Sequence, residues 1–161
     1  MGTASLTAVH LEMRDGYGTD PVFEAWQAGE LDLTRPAYPG WYEEVRRHRA
    51  RGVEFRRVRI VSEPVTDYIR FEYEITAANN AAAGEQVRWL PRRQASDLHL
   101  PGNDFWVFDD RAVRFGHFAG DGTYVGDEEC DDLAVVQMCS WAFEAAWKRA
   151  VPHEEYDCPT G

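Results

Sequence analysis

The sequence has few cysteines, and none stands in a spacing that binds a metal ion. Cys130, Cys139 and Cys158 are the three among 161 residues. Their number is odd and no Cys-x-x-Cys or Cys/His pair occurs, which argues against a disulfide framework and a zinc site. Cys139 falls on the apolar side of a helical pattern, so we expect it to be a small buried hydrophobe. A reduced chain without a metal ion or another cofactor is predicted.

Basic residues are scarce relative to acidic ones. The chain has 17 Lys and Arg against 28 Asp and Glu, a formal net charge of -11. Such a chain repels phosphate, so direct binding to nucleic acid or to an anionic membrane is not expected. The longest apolar runs, such as residues 133–138, are too short to span a bilayer. The amino terminus lacks the pattern of a secretory signal, and we expect a cytoplasmic location.

Compact catalytic motifs are missing as well. The sequence has no phosphate-binding P-loop, dinucleotide-binding glycine fingerprint, nucleophile-elbow serine, paired-histidine zinc motif or EF-hand loop. We assign no catalytic residue and no metal ligand. The absence of these motifs favours a binding or regulatory domain over an enzyme.

The composition is that of one ordinary globular domain. Hydrophobic residues make up 44% and aromatic residues 13% of the chain, enough for one core at this length. We expect the domain to span residues 1–161, with its core at 8–156 and a frayed tail at 157–161.

The hydrophobic periodicity predicts an alternation of strands and helices. Strands are predicted at residues 8–14, 53–61, 87–90, 104–108 and 112–118, and helices at 21–28, 38–51, 64–78 and 131–150. In the second strand the alternation is interpreted as changing phase once, at Arg56 and Arg57. The order predicts an α/β fold, a single domain in which helices pack on the faces of a mixed twisted sheet.

Polar residues at the end of the first strand form the first candidate site. Glu12, Arg14 and Tyr17 stand beside a glycine-containing loop. Arg14 has the geometry to hold a phosphate or carboxylate in a bidentate pair, although an ion pair with a nearby acid is the alternative. Arg70 and Glu74, four residues apart on a helix, are further ligand-binding candidates or else a solvated helix face, and Glu72 shares their polar side.

A basic patch at residues 88–93 is the second candidate. Arg92 and Arg93 lead into a loop with His99, and a positive patch in an acidic protein suggests a small anionic ligand or an acidic peptide. Pairing with the chain's own carboxylates is the alternative. Trp106 is the candidate aromatic anchor for a ligand or partner.

Two adjacent acids, Asp109 and Asp110, allow two interpretations. They form a carboxylate pair of the kind used in acid/base or metal chemistry, and they also fit the centre of a type I′ hairpin turn between two strands. The turn is the interpretation that we favour.

Several segments resemble a known family. They are VHLEMRD at residues 9–15, RIVSEPVT at 59–66, residues 86–93, LPGNDFW at 100–106 and PHEEY at 152–156. Together they resemble an uncharacterised actinobacterial family, best known from Streptomyces and its relatives, whose genes often neighbour those of helix-turn-helix regulators. The resemblance covers residues 9–156 and implies a helix-turn-helix regulator as partner, but no established activity.

A second resemblance concerns the fold. Residues 51–56, 97–99 and 105–110 resemble half of a phospholipase D-like domain, where a histidine, a lysine two residues later and an aspartate line a phosphodiester site. His99 matches that histidine, but Pro101 stands at the position of the lysine. Because nothing would neutralise the phosphate without the lysine, the resemblance implies a degenerate relative that binds a ligand.

Three functions from different classes follow. The leading hypothesis is a non-catalytic regulatory or sensory domain that binds a small anionic ligand, a DNA-binding regulator, or both. The alternative is an enzyme for a phosphorylated or nucleotide-like molecule. In that enzyme Arg14, Arg70, Arg92 and Arg93 would hold the anion beside His99 in one pocket. A structural homodimer is the third.

Overall fold

The computed structural model describes residues 5–18 and 20–159. Its strands are β1 (Thr7–Glu12), β2 (Glu54–Val61), β3 (Glu85–Pro91), β4 (Phe105–Phe108), β5 (Ala112–Phe118), β6 (Tyr124–Cys130) and β7 (Val151–Pro152). Its α-helices are α1 (Pro21–Gln27), α2 (Pro39–Arg49), α3 (Asp67–Asn79) and α4 (Leu133–Arg149). Within these residues no helix is both long and apolar enough to cross a membrane.

All seven strands join one mixed sheet, in the order β6-β5-β4-β1-β2-β3-β7. β1, β2 and β3 are parallel, and the remaining pairs are antiparallel. Parallel neighbours need long crossover connections, which α1, α2 and α3 provide. The predicted α/β fold with a mixed sheet is confirmed.

The face of the sheet under α4 holds the largest apolar core. Residues from β1, β2, β4 and β5 pack there against the buried side of the helix. Val136, Cys139, Phe143 and Ala146 project from α4 at helical spacing and are buried. The predicted burial of Cys139 is confirmed, because its thiol lies inside this core.

The opposite face lies under α1, α2 and α3 and contains charges as well as apolar groups. On β2, Phe55, Arg57 and Arg59 point to this face, and Val58 and Ile60 point towards α4. The side chains alternate continuously, and the change of phase in the apolar pattern is confirmed, because at Arg56 and Arg57 the apolar residues pass from this face to the face under α4. Both faces of this central strand are covered, so the usual contrast between a buried and a solvated side does not apply.

Asp109 and Asp110 form the β4–β5 turn. Both have positive φ, 54° and 52°, and the Arg111 amide donates to the Phe108 carbonyl at 2.9 Å. These are features of a type I′ turn, so the interpretation as a turn is confirmed. The Asp109 carboxylate also accepts from the backbone amides of Leu6 and Thr7, each at 2.8 Å, and so fastens the start of β1.

The sequence patterns did not predict β6 or β7. β6 is an exposed edge strand with three consecutive acids, so it has no apolar alternation to detect, and its charges suit an edge that should not pair further. β7 has only two residues. In the tail predicted to fray, Pro159 accepts a hydrogen bond from the Val65 amide, and residues 160–161 lie outside the described residues.

Candidate functional site

A cavity of about 640 Å³ opens between α2, α3 and the sheet. We call it the central pocket. Arg57 and Arg59 of β2 form its floor, and Glu72 and Asn79 face it from α3. Its walls are aromatic and comprise Tyr38, Trp41, Tyr68, Phe71 and Trp106. This size, with apolar walls and a few polar groups, is that of a small-molecule site.

Strand register creates the floor of the central pocket. Glu12 of β1 lies directly opposite Arg59 of β2, so acid and guanidinium meet on the same face. The Arg59 Nε donates to Glu12 Oε2 at 2.6 Å, and Arg57 donates to the other oxygen of Glu12. The Arg57 Nε donates to Glu85 Oε1 at 2.7 Å. Two arginines are thus balanced by two carboxylates inside the protein.

Neighbouring polar groups complete this buried network. The Arg59 Nη1 donates to the Thr76 hydroxyl at 2.8 Å, and Glu85 Oε2 accepts from Asn80 at 2.6 Å and from the Trp41 indole at 3.2 Å. Although burial alone raises the pKa of Glu12, Arg57 and Arg59 lower it well below its ordinary value. Buried charges persist only where they are paired and hydrogen-bonded in this way.

Glu72 is a surplus acid beside the balanced network. It is 7% exposed, and its Oε1 lies 3.4 Å from Arg59 Nη2. Its Oε2 is buried without a hydrogen-bond partner among the described residues. Burial raises the pKa of Glu72 to about 7, against the opposing attraction of Arg59. Such a group is poised to gain a hydrogen-bond donor that enters the central pocket.

Glu72 makes stability depend on pH. With the pKa raised from 4.5 to about 7, the folded state keeps a proton that the unfolded state releases, so the contribution of Glu72 to stability is full below pH 4.5 and disappears as pH rises towards 7. Glu72→Gln should remove this loss, which is about 3 kcal/mol between pH 4.5 and pH 8. The measurement is urea unfolding between pH 4.5 and pH 8.

The exposed acid Glu43 supplies the matched control. Glu43→Gln should keep the wild-type pH slope. In Glu72→Gln the free energy of unfolding should still fall somewhat as pH rises, because burial raises the pKa of Asp104 to about 6. Parallel curves for the wild type and Glu72→Gln would contradict the assignment.

The aromatic walls are held in place by stacking. The Trp106 indole lies on the His10 ring with centroids 4.1 Å apart. The Arg57 guanidinium lies 5.4 Å from the ring centroids of both Trp41 and Trp106. These contacts fix the rings before any ligand enters, which lowers the entropy cost of binding.

A smaller cavity of about 200 Å³, the side pocket, shares Trp106 with the central pocket. Tyr17 donates to Asp104 there, and the Met13 amide donates to the same carboxylate at 2.8 Å. Burial lowers the pKa of His10 to about 3, so the ring is neutral at pH 7. The His10 Nδ1 has no hydrogen-bond partner among the described residues. Each of the two pockets that Trp106 lines therefore includes a residue with an unsatisfied polar atom, Glu72 in the central pocket and His10 in the side pocket.

The structure brings three of the predicted site residues together. Glu12, Tyr17 and Trp106 all line the side pocket, and Trp106 also lines the central pocket. Arg14 lies nearby, with its guanidinium 5.0 Å from the centre of the Phe118 ring. Of this group, Glu12 belongs to the buried floor and not to a solvent-facing strand end.

The other predicted residues lie elsewhere. Arg70 and Glu74 pair with each other, and Glu74 accepts from the Trp26 indole at 2.7 Å. Arg92 donates to the Met13 and Ile60 carbonyls, which ties strand ends together, and Arg93 is exposed beside it. His99 lies in an apolar groove next to α4. The convergence of the arginines and His99 on one pocket, expected for an enzyme, is not present among the described residues.

Most of the central pocket was not predicted from sequence. Arg57 and Arg59 resembled solvent-facing residues of an alternating strand, and Glu72 was grouped with the polar side of α3 that carries Arg70 and Glu74. Glu72 instead faces the sheet together with Tyr68, Ile75 and Asn79, at spacings of three and four residues. That spacing, in a helix that must cover a charged strand, was the available signal.

Fold and site together define a mixed α/β domain with a preformed, aromatic-walled cavity above a buried ion-pair floor. The chain belongs to the family described as a domain of unknown function (DUF6879), whose model matches residues 1–157. A search of curated proteins found no match. Every residue of both pockets lies within the matched range.

Proposed function

We propose that this domain is a non-catalytic binding module and that the central pocket holds its ligand. The observation that carries the proposal is the single unsatisfied carboxylate oxygen of Glu72 beside a floor where the other charges are paired. A group left in this state is stabilised when a ligand supplies the missing donor.

The lining of the central pocket supports binding more than catalysis. The described residues that line it include no serine, threonine, cysteine, lysine or histidine, so the lining offers none of the usual nucleophiles for Glu72 to activate. Arg57 and Arg59 are already engaged by carboxylates and are not free to stabilise a developing negative charge. We propose no phosphodiesterase-like activity, because His99 lies away from Arg70 and Arg92.

The chemistry of the lining suggests a class of ligand. Flat aromatic walls favour a planar molecule, and Glu72 favours one that carries N–H donors or a positive charge. A donor-bearing ligand would also lower the pKa of Glu72, because it stabilises the ionised form. Binding should therefore release a proton near neutral pH.

A pair of probes tests this proposal. Benzamidine and benzoate have similar shapes, but the amidinium of benzamidine donates hydrogen bonds and the carboxylate of benzoate accepts them. Benzamidine should bind with a Kd that is roughly millimolar, typical of so small a ligand. It should shift the indole N–H signals of Trp41 and Trp106 in nuclear magnetic resonance spectra. Glu72→Gln should weaken it about tenfold, as loss of a charge-assisted bond does. Equal binding of benzoate, or no shift with benzamidine, would contradict the proposal.

A small anionic ligand remains a proposal for a different cavity. The exposed Arg93 and the partly exposed Arg92 line a cleft of about 550 Å³ with Ser62 and Ser96. Inorganic phosphate should raise the melting temperature of the wild type, and Arg93→Gln should reduce that rise. A phosphate effect that Arg93→Gln leaves unchanged would contradict an anion site in this cleft.

We also propose that the domain acts in the cytoplasm with a helix-turn-helix regulator. The net charge of -11 and the resemblance to an actinobacterial family with such gene neighbours support this partner, since an acidic surface attracts a basic one. Co-purification from an actinobacterial host should recover the regulator in low salt and lose it in high salt. Repeated purification without any such protein would count against the partner.

A further inference from the structure

Helix α4 carries an apolar stripe on its outer side. Ala134, Met138, Trp141 and Ala145 follow one another at spacings of four, three and four residues. Trp141 is 71% exposed and Met138 is 45% exposed. The stripe borders a groove of about 490 Å³ whose other wall is the loop with Leu98 and His99. A large exposed apolar group in such a setting marks an interaction surface.

The spacing indicates what kind of surface fits the stripe. Alternating steps of four and three residues are those of a helix that packs side by side with another helix. Met138 and Trp141, the large residues in the middle, supply most of the apolar area that such a packing would bury. The matching element is therefore a helix with the same pattern.

Charges at the ends of α4 indicate that the matching helix is α4 of a second copy of the chain. Asp131 and Asp132 precede the helix, and Lys148 and Arg149 end it. In an antiparallel pair with a two-fold axis between Met138 and Trp141, Ala134 faces Ala145 of the second copy, and Met138 faces Trp141. Lys148 then lies next to the acidic start of the second helix. An entirely basic partner would instead meet like charge at Lys148, whereas Arg149 is already paired with Asp97.

We infer that the α4 stripe is the interface of a homodimer formed by two antiparallel α4 helices. The net charge of -11 on each copy opposes association at long range, but the Debye length of about 8 Å at physiological salt screens this repulsion. Contacts across the seam are shorter and are screened less. The interface lies on the opposite face of the sheet from the central pocket, so the dimer is independent of the proposed function.

Sedimentation equilibrium tests the stripe. The wild type should dimerise, and Trp141→Ala should raise the dimer Kd at least about 100-fold, because one substitution removes two central aromatic anchors. Val125→Ala, which trims another exposed apolar residue on β6, is the matched control and should leave the Kd unchanged. A wild type that stays monomeric at about 100 μM would overturn the inference, as would a dimer that Trp141→Ala does not weaken.

A charge exchange tests the antiparallel register. Asp131→Lys and Lys148→Asp should each raise the Kd about tenfold, since each places like charges together at both ends of the seam. A mixture of the two variants should recover the wild-type Kd, because every end contact again joins opposite charges. Circular dichroism melts establish that both variants fold. Failure of the mixture to associate more tightly than either variant would overturn the register.

Discussion

Arg59→Met should lower the free energy of unfolding by about 3–5 kcal/mol, the usual cost of breaking a buried ion pair by removing one partner. Methionine fills much of the space, but the buried Glu12 then keeps a single guanidinium partner, Arg57. Thr76 also loses its donor from Arg59. Urea unfolding followed by circular dichroism at pH 7 measures the change.

An exposed ion pair in the same sheet provides the control. Arg114 of β5 pairs with Glu129 of β6, whose side chain is exposed. Arg114→Met should cost less than about 1 kcal/mol, because water and salt already screen that pair. Similar losses for Arg59→Met and Arg114→Met would show that the floor of the central pocket is not a tightly coupled buried network.

Phe143→Ala should lower the free energy of unfolding by about 3–5 kcal/mol, as truncation of a buried aromatic residue does. Phe143 is 0% exposed and stacks on Trp147, and the Arg56 guanidinium lies 5.1 Å from its ring. Its loss opens a cavity between α4 and the sheet. Guanidinium chloride unfolding should show a lower midpoint with a similar slope.

Trp141→Ala is the matched control, since it removes a larger aromatic group two residues away on the exposed side of α4. At protein concentrations where the chain is monomeric, this change should alter stability by less than about 0.5 kcal/mol. If both variants lose the same stability, the assignment of buried and exposed sides of α4 is wrong.

Elements with one covered face were predictable from the sequence. The buried residues of α4 stand at helical spacing, and Asp132 caps its first turn. The β4–β5 hairpin was recognisable because two acids occupy its turn, where positive φ is needed. In these segments, local pattern and tertiary packing favour the same structure.

The central pocket was not predictable, because its buried charges are paired by residues on strands that are far apart in sequence. Arg57 and Arg59 are buried only because Glu12 on β1 and Glu85 on β3 lie beside them. A pattern within one strand cannot show that both faces will be covered. The same reason explains why Glu72 was placed on the solvated side of α3.

The position of β1 has a consequence for how the chain folds. This strand lies between β2 and β4, and Ala8 pairs with Phe108 across the antiparallel side. During synthesis β1 leaves the ribosome long before β4 has been made. Closing the loop between Ala8 and Phe108 costs about 4 kcal/mol of chain entropy before β1 and β4 can pair. Refolding on a timescale of milliseconds to seconds, set by this non-local pairing, is therefore expected.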